Sequence, residues 1–372
     1  MRIGIDISSA SPVRTGIGTY TYELVRRLVR HSDHEFVLLF NSFRQPPPEF
    51  PELKNSNVTL KHHRFPGPAL VNSWQTLGKP DIESLVGPVD LFHSPATMLP
   101  PQHRGIRATT IHDLFFLRPD SGPQAALGGS LIRAMIEKRL CDQHLILVNS
   151  QSTAREVLAL EGKGLPPDPS RVVVTPLGVD ERFFTRPDES NLREFRARHH
   201  LPDDYILHVG TREPRKNLDD LLAAYRLLLA SNRYLPPLVC VGSGNDSKQS
   251  HTEIIFPGYI PDSDMPALYR SASLLVFPSR HEGFGLPILE AMASGVPVIC
   301  SSAMGALDHI SRDSVSILPD NSPTTIAAAI ETLLGDSVTL QNQVSSGHQS
   351  ARSMTWDKCA ARTLEAYTAA TE

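Results

Sequence analysis

Short apolar runs alternate with amphipathic segments along nearly the whole chain. This alternation is typical of α/β domains, in which parallel strands form a sheet with helices on both faces. In the first half, strands are predicted at Arg2–Asp6, Glu35–Phe40, Asp90–His93, Ala108–Ile111, Leu145–Asn149 and Arg171–Val174. Helices are expected between several of them, so this half is predicted to be a doubly wound domain.

The segment TPLGVDERFFTRPDES interrupts the pattern, because its prolines, glycine and charged residues break the periodicity. We therefore predict a first domain at residues 1–178 and a second at residues 179–355. In the second, strands are predicted at Tyr205–Val209, Leu238–Val241, Leu274–Phe277 and Pro297–Cys300, and helices at Leu218–Leu229, Met265–Ala272 and Pro287–Ala293. Residues 356–372 predict a closing helix, which could cross back to the first domain.

Length and charge exclude several classes of protein. A chain of 372 residues exceeds what one hydrophobic core usually supports, which agrees with two domains. The net charge of −4 argues against nucleic acid as the main partner, since phosphate neutralisation requires a basic face. No apolar run approaches the roughly 18 residues of a membrane span. The opening MRIGIDISSA is typical of a strand rather than a signal peptide, so we expect a cytoplasmic protein.

The segment HEGFGLPILEAMASGVPV places Glu282 and Glu290 on either side of a glycine-rich turn and a helix start. A helix start offers free N–H groups and the positive end of the dipole, which together favour an anion such as phosphate. The two carboxylates would lie about 10 Å apart and could accept hydrogen bonds from sugar hydroxyls. This arrangement suits a nucleotide sugar. Alternatively, Glu290 only complements the helix dipole and Glu282 is a solvated loop charge.

A second segment, YILHVGTREPRKNLDDLLAAY, places Arg212, Arg215 and Lys216 between a predicted strand and a helix. Positive charge is unfavourable at a helix N-terminus, so a capping role does not explain these cations. Fixed cations would stabilise a pyrophosphate leaving group as its bond to the sugar breaks.

These two segments resemble the nucleotide-sugar site of the retaining glycosyltransferases of family 4, a group with the GT-B fold. The resemblance implies two Rossmann-like domains facing a central cleft. It also implies that Glu282 contacts the donor sugar, Glu290 the ribose, and the backbone of Gly283, Phe284, Gly285 and Leu286 the donor sugar and phosphate. Lys216 matches the diphosphate-binding lysine. For the accompanying arginine Arg212 is preferred and Arg215 is the second candidate, because Thr211 stands where many members have arginine.

Other stretches extend the resemblance over nearly the whole chain. Gly16, in the loop TGIGTYT, matches a glycine that faces the donor phosphate in the family. His112, just past a predicted strand end, matches a histidine near the transferred sugar, although a lone histidine is more often structural. The backbone of Gly258, Tyr259 and Ile260 matches a segment that frames the nucleobase.

We expect no metal requirement. Asp262, Ser263 and Asp264 form a D-x-D, but they directly precede a predicted helix, so N-capping is the favoured role. The four cysteines lie far apart and show no zinc-binding spacing. No separate cofactor is implied.

The sequence therefore predicts a retaining hexosyltransferase that uses a nucleoside diphosphate sugar. The stretch GTREPRKN resembles bacterial mannosyltransferases of the family, which favours GDP-mannose over a UDP-sugar. The acceptor is expected to be a glycan or a lipid-linked glycan in polysaccharide assembly. The first predicted helix carries Arg26, Arg27 and Arg30. These arginines could contact an anionic membrane surface, but a solvent-exposed helix face is the preferred interpretation.

Two other classes of protein are alternatives. One is a protein that binds sugar nucleotides without turnover. The other is an NAD-dependent dehydrogenase, which would need a G-x-G-x-x-G between strand and helix. Neither GIGTYT nor GSGNDS provides that motif.

Overall fold

The computed structural model describes residues 1–11, 15–118, 132–162, 165–231, 235–242 and 252–372. The chain divides into two compact units. The first unit comprises Met1–Leu177 together with Trp356–Glu372, and the second comprises Gly178–Thr355. The division after Leu177 lies one residue from the predicted boundary. The C-terminal segment, predicted as a closing helix that could cross back to the first domain, is part of the first unit. Most of GSGNDS lies outside the described residues.

The first unit contains a seven-stranded parallel sheet in the order β3-β2-β1-β4-β5-β6-β7. Its strands are β1 (Arg2–Asp6), β2 (Glu35–Asn41), β3 (Val58–His63), β4 (Leu91–Ser94), β5 (Ile106–Ile111), β6 (Leu145–Val148) and β7 (Val172–Val174). The sequence analysis missed β3. This strand, VTLKHH, lies at the sheet edge with every position at least partly accessible, so it has no buried apolar run.

Helices of the first unit connect these strands. They are α1 (Gly16–His31), α2 (Gly67–Thr76), α3 (Ile82–Val86), α4 (residues 132–139) and α5 (Gln151–Leu158), with short 3-10 helices at Pro51–Lys54, Phe115–Leu117, Leu140–Asp142 and Pro169–Arg171. Helices α2 and α3 pack Leu70, Trp74 and Ile82 against Val37, Leu39 and Phe92 of the sheet. Strand β1 lies between β2 and β4, so the strand order reverses there, and ligands of such sheets bind beyond the carboxyl ends at that point.

The second unit contains a six-stranded parallel sheet in the order β10-β9-β8-β11-β12-β13. Its strands are β8 (Tyr205–Val209), β9 (Leu238–Val241), β10 (Ile254–Gly258), β11 (Ala272–Phe277), β12 (Val298–Ser301) and β13 (Ser316–Leu318). The edge strands β10 and β13 were not predicted. The reversal of strand order lies at β8, which pairs with both β9 and β11.

Helices of the second unit are α6 (Glu189–Arg198), α7 (Leu218–Ala230), α8 (Met265–Arg270), α9 (Leu286–Ala293), α10 (Pro323–Gly335) and α11 (Ser337–Ser353). Short 3-10 helices lie at Glu181–Phe183, Pro214–Lys216, Asp262–Asp264, Gly305–Asp308 and Arg312–Ser314. The predicted helix Met265–Ala272 is too long, because Ala272 already begins β11. Helices α7 and α10 pack Leu221, Tyr225 and Ile330 against Ile206, Leu238 and Val276 of the sheet.

The last helix, α12 (Trp356–Thr371), packs within the first unit. Its Tyr367 hydroxyl lies 2.6 Å from Nδ1 of His93 on β4, and both side chains are fully buried. At the helix start, the Asp357 carboxylate lies 3.0 Å from Nε2 of His31. Among the helices that the structure describes, none is long and apolar enough to cross a membrane.

Candidate active site

The basic residues Arg212, Arg215 and Lys216 lie in the turn that follows β8. Within it, Lys216 folds back over Gly210, where an added Cβ would lie 3.3 Å from the lysine Cδ. Asn217 then adopts a left-handed conformation with a φ of 57°, which few residues other than glycine and asparagine tolerate. This kink joins the 3-10 helix Pro214–Lys216 to α7. The turn is therefore shaped to place the Lys216 side chain at the sheet edge.

The predicted anion-binding turn follows β11 and is held by the loop after β12. The Glu282 amide donates to the Ala303 carbonyl at 3.0 Å, and the Ala306 amide donates to the Phe284 carbonyl at 2.9 Å. Gly285 ends the turn with a φ of 102°, a conformation that L side chains rarely adopt. It precedes α9 and supplies no capping side chain. Pro287 has no N–H and the Ile288 amide donates to the Gly285 carbonyl at 3.0 Å, so the Leu286 amide is the candidate donor to an anion at this helix start.

Glu282 lies between two cations from the other turn. Lys216 Nζ donates to Glu282 Oε1 at 2.5 Å, and Arg215 Nη1 lies 3.1 Å from Glu282 Oε2. The Lys216 and Glu282 side chains are only 11% and 10% exposed. Burial opposes ionisation of this carboxyl, but Lys216 and Arg215 outweigh burial and lower the pKa of Glu282. Glu213 Oε2 also lies 2.8 Å from Arg215 Nε, so two cations and two carboxylates share this site.

Arg212, the preferred arginine, lies apart from this cluster. Its Nη2 atom is 3.6 Å from Asp219 Oδ1 in the first turn of α7, where the aspartate is largely exposed. Arg215 and Lys216 are neighbours in one 3-10 helix, and both face Glu282. The geometry therefore favours Arg215, the second candidate, as the partner of Lys216.

Glu290 has different partners from Glu282. The hydroxyl of Tyr269, a fully buried residue of α8, donates to Glu290 Oε2 at 2.7 Å. Burial raises the pKa of Glu290 to about 7, although Tyr269 and Arg182 act in the opposite direction. Glu290 therefore changes charge near neutral pH.

The segment expected near a nucleobase follows β10. Gly258 has a φ of 82°, and an added Cβ would meet nothing within 4 Å. The side chain of Tyr259 is exposed while Ile260 is buried. An open glycine followed by an exposed aromatic ring leaves this backbone accessible to a flat ligand.

The N-capping role predicted for the D-x-D is wrong. Asp264 makes no capping hydrogen bond to α8 and instead lies 2.8 Å from His199 Nε2. Asp262 accepts a hydrogen bond from Arg182 at 2.7 Å. Both carboxylates are thus paired with cationic or imidazole groups. Within the described ranges, no group of three metal-ligating side chains is found.

His112 and Gly16 lie at the carboxyl edge of the first sheet. His112 follows β5, is 8% exposed, and its Nε2 donates to the Pro95 carbonyl at 2.7 Å. Burial lowers the pKa of His112, so the imidazole is neutral. Gly16 begins α1, is exposed, and has open space where a Cβ would be. His112 is therefore fixed by the fold, while Gly16 leaves the helix start accessible.

The arginines of α1 form neither a bare basic patch nor a simple solvated face. Arg26 and Arg30 donate to the same Glu52 oxygen at 3.2 and 2.6 Å. Arg27 pairs with the buried Glu23. Because carboxylates neutralise these guanidinium groups, they give no support to membrane contact.

Each of the two units matches the model of a known protein family. The model of Glycosyltransferase Family 4 matches residues 14–183, and that of Glycosyl transferases group 1 matches residues 192–350. The chain is 31% identical to the O-antigen chain mannosyltransferase B of Escherichia coli, over 97% of this chain and 98% of that protein. The chain belongs to the family 4 glycosyltransferases.

Solved glycosyltransferase structures share the fold at low identity. Sucrose-phosphate synthase from Thermosynechococcus elongatus superposes with a TM-score of 0.74 at 18% identity, over 99% of this chain and 98% of that one. Anabaena HepE in complex with UDP-glucose gives a TM-score of 0.71 at 16% identity, over 99% and 100% of the two chains. WaaG, a glycosyltransferase involved in lipopolysaccharide biosynthesis, gives 0.70 at 15% identity, over 98% of both. These likenesses confirm the GT-B glycosyltransferase fold, with two parallel-sheet Rossmann-like units.

Two residues that support this glycosyltransferase site were missed from sequence. Tyr269 holds Glu290 but lies in a short helix without a motif. His208 on β8 is fully buried, and its Nδ1 donates to the Val276 carbonyl at 3.1 Å. Burial lowers the pKa of His208 to about 4, so it adds no charge next to Lys216. The only sequence signal for His208 is that a polar residue stands inside the otherwise apolar strand YILHV.

Proposed function

We propose that this glycosyltransferase is a retaining hexosyltransferase that moves mannose from a nucleoside diphosphate sugar to an acceptor hydroxyl in polysaccharide assembly. The observation that supports it best is the position of Glu282 between Lys216 and Arg215, beside the start of α9. The similarity to an O-antigen mannosyltransferase over nearly the full length of both chains favours mannose and a glycan acceptor.

In this proposal, Lys216, Arg215 and the Leu286 amide at the start of α9 hold the diphosphate. Glu213 and Glu282 balance the charge of the two cations before the donor binds, and the positive end of the helix dipole lies beside them. Charge grows on the diphosphate as the bond to the sugar breaks, so these fixed groups bind the transition state more tightly than the ground state. Glu282 keeps both cations in place before the donor arrives.

The two carboxylates are proposed to hold the sugars. Glu282 accepts a hydrogen bond from a hydroxyl of the transferred hexose, while Glu290, when ionised, accepts from the ribose hydroxyls. His112 contacts the transferred sugar as a neutral group, because burial suppresses its charge. The backbone of Gly283–Leu286 and Gly258–Ile260 binds phosphate and base.

Retention follows from same-face substitution. The bond between C1 and the phosphate oxygen breaks, the acceptor oxygen bonds to C1 on the same face, and the departing phosphate takes the hydroxyl proton. No protein nucleophile is needed. Glu282 is poorly suited to that role, since each of its carboxylate oxygens already faces a cation.

Cations of the chain replace a metal in this proposal. The D-x-D carboxylates are engaged by Arg182 and His199, which supports turnover without added metal. For the donor nucleotide we favour GDP, although the HepE neighbour was solved with UDP-glucose. We place the reaction in the cytoplasm.

The test is a transfer assay in EDTA with GDP-mannose or UDP-glucose as donor and methyl α-D-mannopyranoside as acceptor. NMR of the product gives the anomeric configuration. We expect an α-linked disaccharide from GDP-mannose, and its loss in Lys216→Ala but not in Arg212→Ala. A β-linked product would contradict retention. Nucleotide binding without transfer or donor hydrolysis would favour the alternative of a sugar-nucleotide-binding protein.

A further inference from the structure

The first unit contains a cavity of about 290 Å³ at the carboxyl ends of β1, β2 and β3. Asp6, Asn41 and His63, the last residues of these strands, line it. This volume lies near the lower end of the ~300–1,000 Å³ of small-molecule sites, so the cavity fits a single small ring. Ala96, next to the Pro95 carbonyl that His112 binds, lines another side.

Two free acceptors, on Asp6 and His63, and one free donor, on Asn41, line the cavity. Asp6 uses only Oδ1, which accepts from the Ser8 amide at 2.9 Å and the Ser8 hydroxyl at 2.5 Å. Within the described part of the chain, Oδ2 has no partner. His63 Nε2 donates to the Leu85 carbonyl at 3.0 Å, so Nδ1 of the singly protonated ring is also an acceptor. The Asn41 side chain exchanges two hydrogen bonds with the Phe65 backbone, and its second Nδ2–H is left as a donor.

The remaining wall is apolar and uncharged. Leu70, Trp74, Phe65 and Met98 line it, and no lysine or arginine does so among the described residues. Burial raises the pKa of Asp6, and this carboxyl without a cationic neighbour does not attract phosphate or other anions and repels them when ionised. The cavity therefore favours a neutral ligand that donates hydrogen bonds from one edge and presents C–H groups to aromatic and aliphatic side chains.

We propose that this cavity binds one neutral hexopyranose ring, which is the terminal sugar of the glycan acceptor. A pyranose combines several hydroxyl donors with an apolar ring face, as the lining requires. The role as acceptor rests on the proposed function, whereas the binding of a sugar ring does not.

The test is saturation-transfer NMR of the full chain titrated with methyl α-D-mannopyranoside, without donor. We expect saturable binding in the wild type. Asp6→Asn keeps the shape and the Ser8 hydrogen bonds but replaces the free acceptor by a donor, and should weaken binding about tenfold or more. Ala96→Leu fills the cavity from a different element and should abolish binding. Melting temperatures check that both variants fold.

Lys216→Ala, in the second unit, is the matched control and should bind the mannoside as the wild type does. The proposal is overturned if the wild type binds no mannoside, if Ala96→Leu binds it unchanged, if Lys216→Ala loses it, or if inorganic phosphate competes. Mannoside binding that both cavity variants lose, in a protein without transfer activity, would support the cavity and reject the proposed function. Sugar transfer by the wild type, together with mannoside binding that both cavity variants retain, would support the proposed function and reject the cavity as the binding site.

Discussion

Lys216 Nζ lies 2.5 Å from Glu282 Oε1, although 66 residues separate them in the chain. The contact forms because β8 and β11 are neighbouring parallel strands, and the turns that follow them meet at the same sheet edge. The Arg280 amide donates to the Arg215 carbonyl at 2.7 Å, which joins the two turns through the backbone as well. The pair is therefore built into the strand order of the second unit.

The two candidate arginines should differ sharply on substitution. Arg215→Ala removes one cation from Glu282, so we expect turnover with the intact donor to fall by about 100-fold. Arg212→Ala removes a largely exposed pair with Asp219, so it should change stability by less than about 0.5 kcal/mol and turnover by a few fold at most. Steady-state kinetics of both variants measure this difference. A larger loss of turnover in Arg212→Ala than in Arg215→Ala would favour Arg212 as the partner of Lys216.

Glu290 should make folding stability depend on pH. Its pKa of about 7 in the fold exceeds the ordinary value of 4.5. Between these values the folded carboxyl holds a proton that the unfolded one has released. This contribution to stability is therefore complete below pH 4.5 and is lost as the pH rises through 7. Glu290→Gln should gain stability relative to the wild type from pH 5 to pH 8 in denaturant titrations. A constant difference would contradict the raised pKa.

The same carboxyl should control nucleotide affinity. If the ionised form accepts from ribose hydroxyls, affinity should fall as the pH drops below about 7 in the wild type but stay flatter in Glu290→Gln. The Tyr269 hydroxyl stabilises the ionised form, so Tyr269→Phe should raise the pKa and move the midpoint of this profile to higher pH. Calorimetric titrations between pH 5.5 and 8.5 measure the three profiles. Identical midpoints would rule out the role of Tyr269.

Gly285 should tolerate no side chain. At a φ of 102°, alanine would be strained by about 1–3 kcal/mol or would reshape the turn, so Gly285→Ala should lose stability and donor binding together. Gly335, at the end of α10, has open space at its Cβ position and no positive φ. Gly335→Ala should leave donor binding unchanged and gain up to about 1 kcal/mol of stability. Equal behaviour of the two variants would refute the constraint on the turn.

The hydroxyl of Tyr367 should anchor α12. Tyr367→Phe leaves His93 Nδ1 buried without its partner, which costs about 1–3 kcal/mol of unfolding free energy. Tyr259→Phe, at an exposed side chain, is the control and should change stability by less than about 0.5 kcal/mol. Chemical denaturation without ligand compares them. A loss no larger than that of the control would show that the hydroxyl does not hold the helix.

The sequence predicted the central strands and the turns that follow β8 and β11 because their signals are local. Buried parallel strands are continuous apolar runs, and Gly285 and Pro287 mark the start of α9. The edge strand Val58–His63 was missed because none of its positions is buried, so it has no continuous apolar run.

The partners of the site residues required the fold. Nothing in GTREPRKN shows that Arg215 rather than Arg212 faces Glu282, since a long side chain can turn either way. Likewise, the raised pKa of Glu290 depends on burial and on Tyr269, which lies 21 residues away in the chain.

The most direct measurement is calorimetric titration of the chain and of Lys216→Ala with GDP, UDP and ADP in EDTA. The account predicts saturable binding of one nucleoside diphosphate, GDP before UDP, weakened at least tenfold in the variant. Binding of none of the three, or equal binding by both proteins, would contradict the claim that this turn holds the diphosphate of the donor.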